Sequence, residues 1–177
     1  MAILNFLLMS AFVALVLYSA FSDARKLRIP NWISLALMAG FVGSAFSVGL
    51  SFDVLLWHLA SGAITLVFGF ALFAFGYFGG GDAKLMAASA LWIGWDHLIF
   101  FVFAVVFVGG ALSLAVVVLR KGLGLWPDWI VKNAEGLFTP NKAVPYGIAI
   151  AAGVLLTLPR MDMLPPTWQA HVNWFVL

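Results

Sequence analysis

Residues 78–84 read Phe-Gly-Gly-Gly-Asp-Ala-Lys and interrupt a largely apolar stretch that runs from residue 54 to residue 95. Three successive glycines let the chain turn sharply, because glycine tolerates left-handed backbone angles. Asp82 follows them, where a second apolar segment begins. An ionisable group at the edge of such a segment is costly in a membrane and by default marks a functional site. The stretch therefore predicts two helices joined by a turn that carries an acid.

The composition of the whole chain is typical of an integral membrane protein. Of its 177 residues, 64% are hydrophobic and 9% are charged, whereas a soluble domain carries about 25% charged residues. The absence of cysteine from the sequence excludes disulfides, thiolate metal sites and cysteine nucleophiles. Repeats and low-complexity segments are also absent, so we expect one membrane-embedded domain over residues 1–177.

Apolar runs of the length that crosses a bilayer, about 20 residues, divide the chain further. The first run has no preceding basic residue and is too long for a cleavable signal, so we interpret it as a retained helix. The run after the glycine turn is short, but the run before it is unusually long, so we expect the turn to lie slightly inside the bilayer boundary. The predicted fold class is all-α, a polytopic membrane protein with six transmembrane helices at about 2–22, 31–52, 54–79, 82–95, 97–119 and 143–159.

Basic residues give the predicted orientation. Eight of the nine fall on one side of the six-helix arrangement, which the positive-inside rule assigns to the cytoplasm. Arg160 falls on the other side with both termini, which are therefore predicted to be periplasmic. Residues 120–142 are expected to form a cytoplasmic interfacial loop, and Trp92 and Trp95 fit an aromatic belt. The cytoplasmic basic residues are Arg25, Lys26, Arg28, Lys84, Arg120, Lys121, Lys132 and Lys142.

A second acid, Asp23, lies at the end of the first predicted helix. The topology puts Asp23 and Asp82 on the same side, where two carboxylates could share one proton as they do in aspartic proteases. A simpler alternative is that Asp23 forms a surface ion pair with a nearby basic residue and that Asp82 caps its helix. Three glycines exceed what a cap needs, however, and they would let an extended peptide approach Asp82 closely.

Three elements together resemble the type IV prepilin peptidase family, the polytopic GxGD aspartyl peptidases. They occur in the family's order between residues 20 and 150. The last element opens the final helix and has Tyr where the family has Phe. The elements are Asp23 with Ile29-Pro30-Asn31, then Gly79-x-Gly81-Asp82-x-Lys84, and Pro145-Tyr146-Gly147.

The resemblance implies an aspartic endopeptidase of the bacterial inner (cytoplasmic) membrane, with its active site facing the cytoplasm. Such enzymes remove the basic leader peptide of prepilins, and Asp23 and Asp82 match the two catalytic aspartates. The implied partners are prepilin or pseudopilin substrates and the lipid bilayer, with no nucleic acid. The short link between the first two helices, without paired cysteines, resembles the single-domain branch associated with tight-adherence (Flp) pili. No cofactor is expected, and S-adenosylmethionine-dependent methyl transfer is not favoured.

The supporting residues of the three elements leave some roles open. Pro30 is expected at the first helical position, where its missing amide is harmless, and Asn31 is expected to cap or orient that turn. Lys84 either favours the ionised form of Asp82 or anchors the topology as a cytoplasmic charge.

Other function classes also remain open from the residues alone. Asp23 and Asp82 could form a proton relay in a transporter or channel subunit, although the internal repeats of many transporters are missing. The chain could also be a non-catalytic pilus assembly factor. A metal site at His58 and His97 is not favoured, because the spacing matches no ligand pattern. A serine–histidine protease is not favoured either, since no serine lies in a nucleophile-type turn.

Overall fold

The computed structural model describes residues 1–121, 144–161, 163–164 and 168. Within these residues the chain is helical and has no strand, so the all-α prediction is confirmed for this part. A 3-10 turn, Leu158–Arg160, directly follows the helix that begins at Tyr146. The helices are α1 Ala2–Lys26, α2 Asn31–Val48, α3 Phe52–Ala74, α4 Gly80–Ile93, α5 Leu98–Lys121 and α6 Tyr146–Thr157.

Four of these helices, α1, α2, α3 and α5, are long and apolar enough to cross a membrane. In contrast, α4 has 14 residues and α6 has 12. At 1.5 Å per residue these two measure about 21 Å and about 18 Å, less than a bilayer core of about 30 Å. Helix length and composition thus support a polytopic membrane protein, while six crossings and periplasmic termini stay predictions. From residue 122 to residue 142, the predicted interfacial loop lies outside the described residues.

The short helix α4 lies at the centre of the bundle. Every residue from Leu85 to Ile93 is buried, as expected for a helix that is apolar all round. It packs against α3, α2 and α6, while α1 packs against α2 and α6. Glycine lets α3 approach α4 closely, because a Cβ on Gly69 would lie 3.1 Å from the Ala83 Cβ. Small residues serve this purpose at many membrane helix interfaces.

Trp92 belongs to this core and not to an aromatic belt, so that prediction is wrong. Its side chain is 1% exposed and stacks on Phe12 with ring centroids 4.6 Å apart. The indole Nε1–H donates to the carbonyl oxygen of Leu37 at 2.9 Å. The neighbouring helices cover this end of α4, and Trp95, beyond the helix, is the exposed residue, packed on Trp57.

Helix ends differ from the prediction where a local cap decides them. α1 continues to Lys26 instead of ending at residue 22, since basic residues in a last turn complement the helix dipole. Leu27 closes the helix in a left-handed conformation, with φ 50°. Asp23 is therefore part of the last turn of α1. α2 ends earlier than residue 52 because Gly49, with φ 72°, terminates it.

The boundaries of α3 and α6 also differ from the prediction. α3 ends at Ala74 instead of residue 79, and the chain turns through Gly76 with φ 77°. The run before the glycine turn is thus not unusually long, and the reason for expecting a turn inside the bilayer boundary was wrong. α6 starts at Tyr146 instead of residue 143, because Pro145 occupies the N-cap. α5 lies within two residues of its predicted bounds.

The alternating helices gather their ends at two opposite sides of the bundle. At one side, Asn5 near the start of α1 donates to the Met163 carbonyl at 3.0 Å and accepts from the Ser44 hydroxyl, near the end of α2, at 2.6 Å. The other side gathers the end of α1 and the starts of α2, α4 and α6. This arrangement brings Asp23 and Asp82 to the same side of the bundle.

Candidate active site

Asp23 is held at the junction of α1 and α6. Its side chain is 5% exposed, and its Oδ2 accepts a hydrogen bond of 2.8 Å from the backbone N–H of Gly147. Gly147 lies in the first turn of α6, where backbone amides have no partner within the helix and favour a negative group. A Cβ on Gly147 would lie 2.9 Å from the Asp23 Cβ. Glycine is therefore required for this close approach.

Asp82 lies in the first turn of α4, behind Gly79, which is the N-cap residue. Its carboxylate reaches back to accept a hydrogen bond from the Gly79 N–H, which is one half of a capping box. Asp82 is thus not the N-cap residue, although it does help to close the helix start. A Cβ on Gly79 would lie 2.5 Å from the Asp82 Oδ2, so this glycine is also required by the carboxylate beside it.

Both carboxylates line one cavity of about 520 Å³. Asp82 comes before the continuously buried part of α4. It does not belong to any of the four helices that are long enough to span a membrane. Burial raises the pKa of Asp82, and repulsion from the Asp23 carboxylate adds to it, giving a pKa of about 7 in spite of the opposing Gly79 hydrogen bond. Near neutral pH the Asp82 carboxyl group therefore exists in both its protonated and its ionised form.

The linker between α1 and α2 packs against the glycine turn. A Cβ on Gly81 would lie 3.3 Å from the Ile29 Cβ, so Ile29 touches the turn directly. Pro30 is the N-cap of α2 and not its first helical residue, so that prediction is wrong by one position. Asn31 begins the helix, and its Oδ1 accepts a hydrogen bond of 3.1 Å from the Lys84 Nζ. Lys84, which is exposed, thereby joins α4 to α2.

Two neighbours of the predicted residues were missed in the sequence. The Ser22 hydroxyl donates to the Arg28 carbonyl at 2.9 Å and so holds the linker against the end of α1. Phe78 packs edge-on against Tyr146 with ring centroids 5.3 Å apart, and each of these residues directly precedes a glycine whose N–H binds one of the carboxylates. Their only sequence signal is position, since each directly precedes a residue of a predicted motif.

On the opposite side of the bundle, His58 is bonded within the protein. His58 is 3% exposed, and its Nδ1 lies 2.6 Å from the Leu91 carbonyl oxygen, to which its N–H donates. In the described part of the chain, no three side chains of His, Asp or Glu come together in a way that could hold a metal ion.

The comparison with protein families agrees with this site. Residues 10–114, more than half of the chain, match the model of the type IV leader peptidase family, Peptidase A24. The matched segment contains both aspartates, the linker before α2 and the glycine turn, and it ends before residues 145–147. Neither the curated proteins nor the solved structures gave a match. The chain belongs to the type IV leader peptidase family.

Proposed function

We propose that this membrane protein is an aspartic endopeptidase that removes the basic leader peptide of type IV prepilins. The family supports a leader peptidase, and the aspartic mechanism is supported by a single observation. Asp23 and Asp82, 59 positions apart in the sequence, line the same cavity. Each carboxylate is oriented by one backbone N–H, from Gly147 and Gly79 respectively.

The proposed reaction uses the two carboxyl groups as a base and an acid. Asp23, ionised, takes a proton from a water molecule as the water oxygen attacks the carbonyl carbon of the scissile peptide bond. Asp82 carries the shared proton, since its pKa is about 7, and donates a hydrogen bond to the carbonyl oxygen. When the tetrahedral intermediate collapses, the C–N bond breaks and the departing amine receives the proton that Asp23 took from the water, which restores the starting state of both carboxyl groups. No covalent intermediate with the enzyme is needed.

The glycines of the motifs have a place in this mechanism. Gly79 and Gly147 let a backbone amide approach each carboxylate, which fixes the orientation of the side chain before substrate arrives. Such preorganisation lowers the cost of reaching the reactive geometry. Gly80, between Gly79 and Gly81, also lines the catalytic cavity. The exposed backbone of this turn suits the approach of an extended peptide.

The finer assignments of substrate and location are part of the same proposal. We place the protein in the bacterial inner membrane, with both termini periplasmic. The chain then crosses the membrane six times, and two of these crossings are the part of α4 that follows Asp82 and α6 together with its 3-10 turn. The basic residues around the cavity, Lys26 and Arg28, then face the cytoplasm. The four-residue linker between α1 and α2 leaves no room for an inserted domain, which favours a Flp-type prepilin as substrate and does not favour methyl transfer.

The test is leader removal from a tagged prepilin co-expressed with the enzyme and followed by gel shift. Asp23→Asn and Asp82→Asn preserve side-chain shape and remove the titratable group, so each is expected to abolish processing. Asp53→Asn is the matched control, because Asp53 lies in the first turn of α3 at the opposite side of the bundle, and it should process normally. Processing by both site variants at the wild-type level would exclude the aspartic mechanism and favour a transporter or scaffold.

A further inference from the structure

A second cavity, almost entirely apolar, lies on the outside of the bundle between α3 and α5. Its volume is about 670 Å³. Two side chains of its walls, Phe68 and Phe103, are strongly exposed, at 65% and 70%, so the cavity opens towards the surroundings of the described helices. We call it the α3–α5 groove, and it is lined by Phe68 and Leu72 of α3, Met86 of α4, Phe103 and Val106 of α5, and Tyr146 of α6.

The groove passes α4 at Met86, and its lining includes residues before and after that helix. It extends from Phe78, which precedes the first residue of α4, to Trp95, which follows the last. The 14 residues of α4 correspond to about 21 Å at 1.5 Å per residue. A helix of similar length, about four turns, could therefore lie along the groove with one face inside it.

The groove and the catalytic cavity differ in chemistry. Thr65, a polar residue in the groove, donates its hydroxyl to the Ser61 carbonyl at 2.7 Å, so its hydroxyl is engaged within α3. The catalytic cavity, in contrast, is lined by the two aspartates and by Lys26 and Arg28. The groove can thus hold an apolar segment, and the cavity can hold a polar one.

An aromatic pair, Phe78 and Tyr146, links the groove to the residues that hold the two carboxylates. Both rings line the groove. Phe78 directly precedes Gly79, whose N–H binds one catalytic carboxylate, and Tyr146 directly precedes Gly147, whose N–H binds the other. Along the chain, each ring of the pair is therefore one residue away from a backbone N–H that holds a carboxylate.

We propose that the α3–α5 groove binds the apolar helix of the prepilin, with the N-terminal end of that helix against Phe78 and Tyr146. This inference rests on the proposed function. A prepilin with a polar leader followed by an apolar helix matches the order of the polar cavity and the apolar groove. The scissile bond at the boundary then lies beside the aspartates. Helices in a bilayer associate through close packing, and an open groove offers surface for that packing.

The first test is kinetic and uses a substitution that fills part of the groove. Val106 lines it and is 64% exposed, so Val106→Trp should reduce its volume without disturbing the buried core. Val42→Trp is the control, because Val42 is 51% exposed on α2 and lines neither cavity. Each variant is assayed with a full-length prepilin and with a leader peptide that stops a few residues after the scissile bond.

Val106→Trp is expected to raise the KM for the full-length prepilin about tenfold, equivalent to about 1.4 kcal/mol of binding, with kcat unchanged. The short peptide should be cleaved as by the wild type, and Val42→Trp should leave both substrates unaffected. Equal KM values for the two variants with full-length prepilin would overturn the proposal. If Val106→Trp lost the same activity with the full-length prepilin and with the short peptide, the proposal would also be overturned, since such a loss would show damage to the catalytic cavity.

Photo-crosslinking tests the position of the helix directly. Benzoyl-phenylalanine replaces Phe103 in the groove or, as a control, Phe46 on α2, which is 81% exposed. Both variants carry Asp82→Asn so that the prepilin remains intact. A crosslink from position 103 to the apolar segment of the prepilin, with none from position 46, is expected. Crosslinking of position 103 to lipid alone would contradict the groove assignment, even where the aspartate variants confirm the peptidase.

Discussion

The two sides of the helix bundle use their buried polar residues differently. On the side of His58, polar side chains are bonded within the protein, as with the His58 N–H and the Leu91 carbonyl or Asn5 and Ser44. On the other side, Asp23 and Asp82 each accept a backbone N–H and also line a cavity. Buried polar groups need partners, so the first side stabilises the fold. The second side leaves the carboxyl groups of Asp23 and Asp82 facing a cavity, and we expect the chemistry to take place there.

The same difference applies to the glycines. Near His58, a Cβ on Gly94 would lie 2.8 Å from the imidazole Cε1, so this glycine makes room for a structural side chain. Gly147 makes room for the Asp23 carboxylate. Close packing is therefore common to both sides. What distinguishes them is whether the group beside the glycine faces a cavity.

After the aspartate substitutions themselves, the largest effect is expected from Gly147→Ala. The added Cβ would fall 2.9 Å from the Asp23 Cβ, which displaces α6 or the carboxylate. A displacement of about 1 Å costs about 100-fold in rate, and we expect a loss of this size in kcat/KM for a prepilin. Gly110→Ala is the control, because nothing lies within 4 Å of a Cβ there, and it should retain wild-type activity. Equal activity of the two variants would show that Asp23 does not depend on α6.

The next effect concerns pH. The mechanism needs a proton on Asp82, whose pKa is about 7, so kcat/KM should fall above pH 7. The fall should approach tenfold per pH unit, as expected when one essential acid is lost. A pH–rate profile with purified enzyme measures this. A rate that continues to rise to pH 9 would contradict the assignment of Asp82 as the acid.

The stability of the fold should respond to pH through the same group. Because the folded-state pKa of Asp82 lies above the ordinary value of an aspartate, 3.8, the protonated form favours folding. This contribution is complete below about pH 4 and is lost as the pH rises through about 7. Thermal unfolding in detergent should therefore show a smaller decline over this range for Asp82→Asn than for the wild type. An equal decline in the thermal stability of both proteins would show that Asp82 is not the cause of the decline.

On the opposite side of the bundle, His58→Phe should separate stability from catalysis. It leaves the Leu91 carbonyl without its 2.6 Å partner, which should lower the free energy of unfolding by about 1–3 kcal/mol. The kcat/KM of the folded fraction should stay at the wild-type value. Denaturation curves and assays at low temperature measure both. A selective loss of activity with unchanged stability would contradict the division between the two sides.

The smallest effect is expected from Lys84→Met. This change removes the exposed hydrogen bond to the Asn31 Oδ1, and exposed charged contacts contribute about 1 kcal/mol or less. We expect a loss of activity of a few-fold and the same pH–rate profile. A shift of the alkaline limb to higher pH would instead show that Lys84 favours the ionised form of Asp82.

The sequence predicted the features that depend on apolar length and charge. The membrane character, the order of the helices and the shared side of Asp23 and Asp82 follow from these, and the structure agrees. Helix ends were less predictable, because single residues such as Leu27 and Gly76 decide them by adopting positive φ. Trp92 looked like an interfacial residue because it lies near a helix end. That position does not indicate whether neighbouring helices cover the side chain.

The contacts that build the site were the least accessible to sequence reasoning. Gly147 was predicted as a motif residue, but its hydrogen bond joins it to Asp23 across 124 positions of the chain. The α3–α5 groove likewise needs the relative placement of four helices. Such features arise from tertiary packing and leave no periodic pattern in the sequence.

The most direct measurement compares kcat/KM for a purified prepilin among the wild type, Asp23→Asn, Asp82→Asn and the double variant. Residues that act as a unit lose activity non-additively. Each single variant should therefore lose about 1,000-fold or more, within the range of acid–base catalysis, and the double variant should be no worse than either. Losses that multiply in the double variant, or a single variant that keeps most of its activity, would contradict a shared catalytic pair.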